Sequence, residues 1–220
     1  MRKIPRQLRP EKKSLTSIVY AHNVFAPVAD GVWSEWPLMN ITQGVQSDQC
    51  IGRRVFVSKM ILKFKLIAGY TNNSALQFAD EYNVIRMMLI RINAPQAGGS
   101  NKWPSSFFAA PSGTGYIFDW KQASQKFGTA AKCLKDREMT LYLKHVDGGP
   151  NPTTQNKYFP IVYKFRWVVK VNRQLEAYTD VGTNAGYFVP GYFLAMYSDS
   201  HAPPHPTIFD FTHKVYFTDV

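Results

Sequence analysis

A chain of 220 residues is long enough for one β domain or two small ones with a substantial core. With 45% hydrophobic and 15% aromatic residues it is not generally disordered, and no apolar run reaches the roughly 18 residues a spanning helix needs. A formal net charge of +11 selects an anionic partner; nucleic acid is the commonest polyanion, although a basic enzyme or ribosome-associated protein has the same balance.

The start, "MRKIPRQLRPEKKSL", has cations without an apolar h-region, so a secretory signal is not expected and a soluble protein is. Arg2, Lys3, Arg6, Arg9, Lys12 and Lys13 stand there against the single acid Glu11, with two prolines and few apolar side chains. Residues 1–13 therefore read as a flexible basic arm, the bland alternative being a solvated terminus and a further one a nuclear-import signal. Residues 14–220 read as one β domain.

Strand follows strand from there: 14–26, 31–42 after the turn "PVADG", 53–67, 83–92, 137–146, 159–172, 187–198 and 207–220. Several alternate with period two, and most end in Gly, Asn, Asp or Pro. Only 101–110 and 118–128 could be helical. The connections 93–130 and 173–186 are long, and 69–82, 147–158 and 199–206 moderately so. Eight strands with such connections predict a single antiparallel jelly-roll sandwich, since an up-and-down barrel is built from tight hairpins.

Two strands have an unusual second face. In "GRRVFVSKMILKFK", Phe56, Ser58, Met60, Leu62 and Phe64 share the expected core face. Val55, Val57, Lys59, Ile61, Lys63 and Lys65 take the other, with Arg53 and Arg54 just ahead. In 159–172, Tyr163, Phe165, Trp167, Val169 and Val171 point to the core, while Lys164, Arg166, Lys170 and Asn172 point away beside Val168. Outward lysine also protects edge strands, but a solvent face normally mixes signs, and these two carry cations and no acid. An anion-facing sheet is the sharper reading. In a jelly roll these would be strands D and G, neighbours in the B-I-D-G sheet, and their cations would form one patch gripping phosphates without reading bases. The aromatics of both strands fall on the predicted core face, which disfavours base stacking.

The remaining chemistry is thin. Cys50 and Cys133 make neither a disulfide framework nor a metal-ligand spacing. His201 and His205 could bracket a metal with Asp199 and Asp210, but histidines in a Pro-rich loop are more often exposed spacers. His213 lies on the core side of the last strand and reads as a satisfied interior or interface histidine. There is no Walker loop, HExxH or nucleophile elbow, so neither an enzyme nor a cofactor is expected.

Four segments in order resemble a known family: "NITQGVQSDQCIGRRVFVSKMILKFKL" (40–66), "KFGTAAKCLKDREMTLYL" (126–143), "NAGYFVPGYFLAMYSDS" (184–200) and "FTHKVYFTDV" (211–220). Together they resemble the capsid proteins of circular, Rep-encoding single-stranded DNA (CRESS-DNA) viruses, with satellite necrosis virus capsids as relatives of the same fold. The resemblance is collinear from about residue 15. It implies a jelly roll that self-assembles into a small icosahedral T=1 shell in the virion and packages single-stranded nucleic acid on its inner face. Host attachment or nuclear-import factors would be further partners, with passage through the host nucleus; no membrane is implied. The arm is short and mixed where circovirus-like arms are long Arg runs, which shifts weight onto Arg53, Arg54, Lys59, Lys63, Lys65, Lys164, Arg166 and Lys170. Asp219 resembles a terminal acidic residue that in some relatives helps hold calcium between subunits, though one aspartate is no calcium site. Trp103, Phe107, Phe108 and Tyr116 are large apolar residues in a predicted loop, expected either to fold back over the sandwich or, as a shell requires, to meet neighbouring subunits. The competing expectations are a small single-stranded RNA or satellite virus coat protein, a non-viral single-strand-binding β protein, and a cupin-type enzyme, which would need inward His and Glu that the strands do not offer.

Overall fold

A computed structural model describes residues 11–24, 34–67, 82–93, 131–146, 157–179, 186–198 and 207–220, most of them strand and none of them helix. The described strands are β1 Lys12–Val24, β2 Ser34–Pro37, β3 Arg54–Ile67, β4 Tyr82–Ile92, β5 Ala131–Val146, β6 Lys157–Pro160, β7 Val162–Thr179, β8 Gly186–Val189, β9 Gly191–Ser198 and β10 Thr207–Asp219. They make two antiparallel five-stranded sheets, β1-β10-β3-β7-β8 and β2-β9-β4-β5-β6. Without the four-residue strands β6 and β8, these orders are B-I-D-G and C-H-E-F, the two sheets of a jelly roll.

Each expected strand overlaps a real one. Two are divided, 159–172 at Ile161 and 187–198 at Pro190, where a proline cannot supply a ladder N–H. β5 begins at Ala131, earlier than expected. β7 runs on to Thr179, so most of the connection expected at 173–186 is strand. Asn172 is the reason: it reads as a strand end, but at φ 44° it forms a bulge and the ladder continues, Val57 pairing with Arg173 after Lys59 has paired with Lys170. Both helical windows, the histidines 201 and 205, and Arg2, Lys3, Arg6, Arg9, Trp103, Phe107, Phe108 and Tyr116 lie outside the described residues.

Alternation drives the core. Met60, Leu62, Phe64 and Leu66 of β3, Trp167 and Val169 of β7, and Phe209, Phe211, Val215 and Phe217 of β10 are buried in one cluster with Ile85, Met87 and Leu89 of β4 and Leu194 and Met196 of β9. Phe64 is its centre, stacked on Phe165 with centroids 4.7 Å apart and meeting Trp167 edge-on at 5.0 Å. Trp36 of the second sheet reaches Phe209 of the first at 5.3 Å. Where β5 and β7 approach, the Arg137 guanidinium lies 4.4 Å from the Phe165 centroid, and Tyr163 Oη accepts the Tyr142 N–H at 3.2 Å.

One parity expectation for β3 is corrected. Tyr216 pairs with Lys59, but the next residue, Phe217, pairs with Val57, leaving Ser58 as an extra residue. This bulge exchanges the faces on its N-terminal side: Val55 and Val57 are buried, and Phe56 turns outward at 38% exposure. The Ser58 hydroxyl donates to the Tyr216 carbonyl at 3.2 Å.

Candidate nucleic-acid interface

The outer face of the first sheet is a grid whose register is fixed by the ladders. Across β3 and β7, Lys65 lies opposite Lys164, Lys63 opposite Arg166, Ile61 opposite Val168, and Lys59 opposite Lys170. The expected D and G cations are therefore one patch. On the other side of β3, β10 places Asp210, Thr212, Lys214 and Tyr216 beside Lys65, Lys63, Ile61 and Lys59. Beyond it β1 contributes Ile18, Thr16 and Ser14 opposite Thr212, Lys214 and Tyr216. Rows are about 6.7 Å apart along the strands and about 4.8 Å across them.

Lys214 belongs to the same rows, although the acid-free pattern of β3 and β7 does not point to it. Its signal in the sequence is the parity of β10: with His213 and Val215 inward, Lys214 points outward, on a face it shares with Asp210. Among the described residues in these rows, Asp210 is the one carboxylate, and it is engaged by the Lys65 ammonium at 3.0 Å. Like charges directly opposite destabilise a sheet by about 0.2–1 kcal/mol per pair, and three such pairs occur here. A face that weakens its own fold in this way is suited to an anion from outside. Over Lys63, Lys65, Lys164 and Arg166 the surface hollows into an open cleft of about 490 Å³, also lined by Ile18, Asp210 and Thr212. At the other end, Tyr216 stands on the same face with the Lys59 and Lys214 ammoniums 4.6 and 5.2 Å from its ring centroid.

The other expected cations are placed differently. Arg53 is exposed just before β3. Arg54, outward at the start of β3, pairs with Glu176 of β7 at 3.3 Å, both side chains remaining well exposed. Lys12 is exposed but belongs to β1, opposite Thr218. Lys13, grouped with the arm on its charge, is turned into the fold. Its ammonium lies 2.8 Å from Asp219 and donates to the Gln49 carbonyl at 3.0 Å. The hydrogen bond to Asp219 raises the Lys13 pKa against the opposing effect of desolvation. Asp219 also accepts the Ile51 N–H at 3.3 Å. Within the chain, both oxygens of the Asp219 carboxylate are thus engaged, one by an ammonium and one by a backbone N–H. Among the described residues no three His, Cys, Asp or Glu side chains are grouped to hold a metal.

His213 is interior, as its parity predicts. It is stacked on Phe211 with centroids 5.4 Å apart, and its one polar neighbour among the described residues is the Leu38 backbone, whose placement falls short of a well-formed hydrogen bond. Burial lowers its pKa to about 4, the Leu38 backbone opposing only in part. Both thiols are free: Cys50 is buried, and desolvation pushes Cys133 up to about 12.

No family model and no curated protein matches this chain. Among solved structures it is similar to that of desmodium yellow mottle tymovirus, at 10% identity, covering 100% of this chain and 93% of that one with a TM-score of 0.37. It is also similar to the semi-empty virus-like particle of the nodavirus of the giant freshwater prawn Macrobrachium rosenbergii, at 7% identity, covering 100% and 89% with a TM-score of 0.38. Likenesses this slight carry no weight beside the strand order and the chemistry of the grid.

Proposed function

We propose that this chain is a viral coat protein whose first sheet presents its outer face to packaged nucleic acid. The observation that carries the reading is the cationic grid on β3, β7 and β10, in which Asp210 is the one described carboxylate: evenly spaced Lys and Arg that neutralise phosphates and encode no sequence. The B-I-D-G and C-H-E-F order supports it, because a jelly roll is a shell-building architecture, although lectins and cupins share it. The sequence resemblance makes the reading particular: a coat protein of a CRESS-DNA virus, forming a T=1 shell around circular single-stranded DNA. In that shell the grid faces inward, Arg2, Lys3, Arg6 and Arg9 add to its charge, and Trp103, Phe107, Phe108 and Tyr116 meet neighbouring subunits. The protein then resides in the virion and passes through the host nucleus.

A second reading, a non-viral single-strand-binding β protein, draws on the outward Phe56 and Tyr216 beside the cations. Negative-stain microscopy of the purified protein separates the two: uniform spherical particles support the coat protein, and dispersed monomers that bind nucleic acid overturn it. Exchanging Lys59, Lys63, Lys164, Arg166 and Lys170 together for Gln should give particles that assemble with less nucleic acid, read as the ratio of absorbance at nucleic-acid and protein wavelengths. Unchanged content would put the grid on the wrong side of the shell. Because β1 begins at Lys12 and Lys13 is buried, a truncation that tests the arm must stop at residue 10.

A further inference from the structure

We propose that Tyr216, with Phe56 beside it, is a base-stacking platform set into the cationic face, so that this face binds single strands through bases as well as phosphates. The inference rests on the phosphate-binding reading and deepens it. Tyr216 is opposite Lys59 on one side and Ser14 on the other, within the outward rows. Both lysine ammoniums that flank its ring do so at cation–π distance, 4.6 and 5.2 Å. A cation over a solvent-facing ring is held weakly. Either ammonium can therefore move to a phosphate and leave the ring to the base of the same nucleotide.

Phe56 is the second observation. The bulge at Ser58 puts it on the outward face, opposite Thr218 and one outward row along from Tyr216. Phe56, 38% exposed between Thr218 and Gln174, stands outside the core cluster, whereas parity without the bulge would have buried it. Tyr216, flanked by Lys59 and Lys214, and Phe56 on the same outward face combine the ingredients of sequence-tolerant single-strand binding: a cationic track and π faces. A duplex, with its bases stacked internally, can use only the track.

The test titrates the full-length chain, freed of nucleic acid at high salt, with oligothymidylate and with an abasic sugar–phosphate strand of equal length. Wild type should prefer oligothymidylate by about fivefold or more. Tyr216→Leu should bring oligothymidylate down toward the abasic strand while leaving abasic affinity and salt dependence unchanged; Phe56→Leu should do so in part, and Tyr216→Phe should keep the preference. Equal wild-type affinity for both strands overturns stacking and leaves the phosphate reading standing. Equal weakening of both strands by Tyr216→Leu also overturns it, since the ring would then serve only to hold the lysines. Failure of either strand to bind at low salt sinks both readings. The wild-type comparison needs no variant, so it decides even where Tyr216→Leu fails to fold.

Discussion

The two sheets share one core and differ on their far sides. On the second sheet, alternation puts Met88 and Ile90 of β4 and Phe193 and Ala195 of β9 on the outer face, and all four are buried in the isolated chain. Even Arg86 on that side is buried, its guanidinium forked onto Asp136 at 2.7 and 3.0 Å. On the first sheet, the outer face is open and its cations confront one another across β3 and β7. At these positions the outer face of the second sheet is covered within the chain, as in strands buried on both faces. The first leaves positive charge that nothing in these rows neutralises beyond Asp210. One side of the sandwich is covered within the chain, and the other keeps a cationic face open.

The sharpest way to break this contrast is to make the same change on both sides. Ile90→Lys places an unpaired ammonium in a fully buried position and should cost about 4 kcal/mol or more, or abolish folding. Val168→Lys, on the exposed grid, should stay within about 1 kcal/mol. Urea unfolding of the two variants measures the difference; equal losses would mean that the outer face of the second sheet is not closed.

The interior supplies the next largest effect. An unfolded His213 titrates near 6.5, and the folded one near 4. Between those values the unfolded chain takes up a proton that the folded chain refuses, so the contribution is fully present above about pH 6.5 and is lost as pH falls toward 4. The loss should approach about 3 kcal/mol at 1.36 kcal/mol per pKa unit. His213→Phe keeps the stacking and removes the titration, so its stability should lack this part of the acid decline. A decline identical to wild type would mean that other groups cause it.

The exposed face should respond with the opposite sign. Exchanging Lys59, Lys63, Lys164, Arg166 and Lys170 for Gln removes every directly opposed pair of like charges on β3 and β7. Removing charge from a surface usually does little, but here unfolding at low salt should become harder by about 1 kcal/mol, the gain shrinking as salt is added. A destabilised quintuple variant would show that the cations are already compensated within the protein.

Most of this contrast is legible in the sequence. "NVIRMMLIRI" is a nearly continuous apolar run, the pattern of a strand covered on both sides, while "SKMILKFK" and "YKFRWVVK" alternate except at Ile61 and Val168. The adjacency of β3 and β7 follows once the jelly roll is assumed. What is hidden is whatever depends on a distant partner or on an unmarked irregularity. Ser58 carries no signature of a bulge, so the outward turn of Phe56 cannot be read from its neighbours. Lys13 has the surroundings of a flexible arm, and only Asp219, at the far end of the chain, explains its burial. Asn172 carries a signal that points the wrong way, since the residue that usually ends a strand here lets β7 continue.

The smallest predicted effect tests whether the grid extends past its named rows. Arg54 points outward two residues before Phe56, and Glu176 of β7 is directly opposite. Their contact, at 3.3 Å between well-exposed side chains, belongs to the class of surface pairs worth about 0–1 kcal/mol. Glu176→Gln should therefore change stability by no more than about 0.5 kcal/mol. Binding should change more informatively, because the substitution removes an acid from the rim of the face and releases a guanidinium. If Arg54 then joins the grid, the slope of log affinity against log salt for single-stranded DNA should steepen by about 0.7, the increment for one further neutralised phosphate. An unchanged slope with unchanged stability would place the boundary of the interface between Phe56 and Arg54. A slope that steepens only when Arg54 is present, tested with the Arg54→Gln, Glu176→Gln double variant, assigns the gain to that side chain rather than to a general rise in net charge.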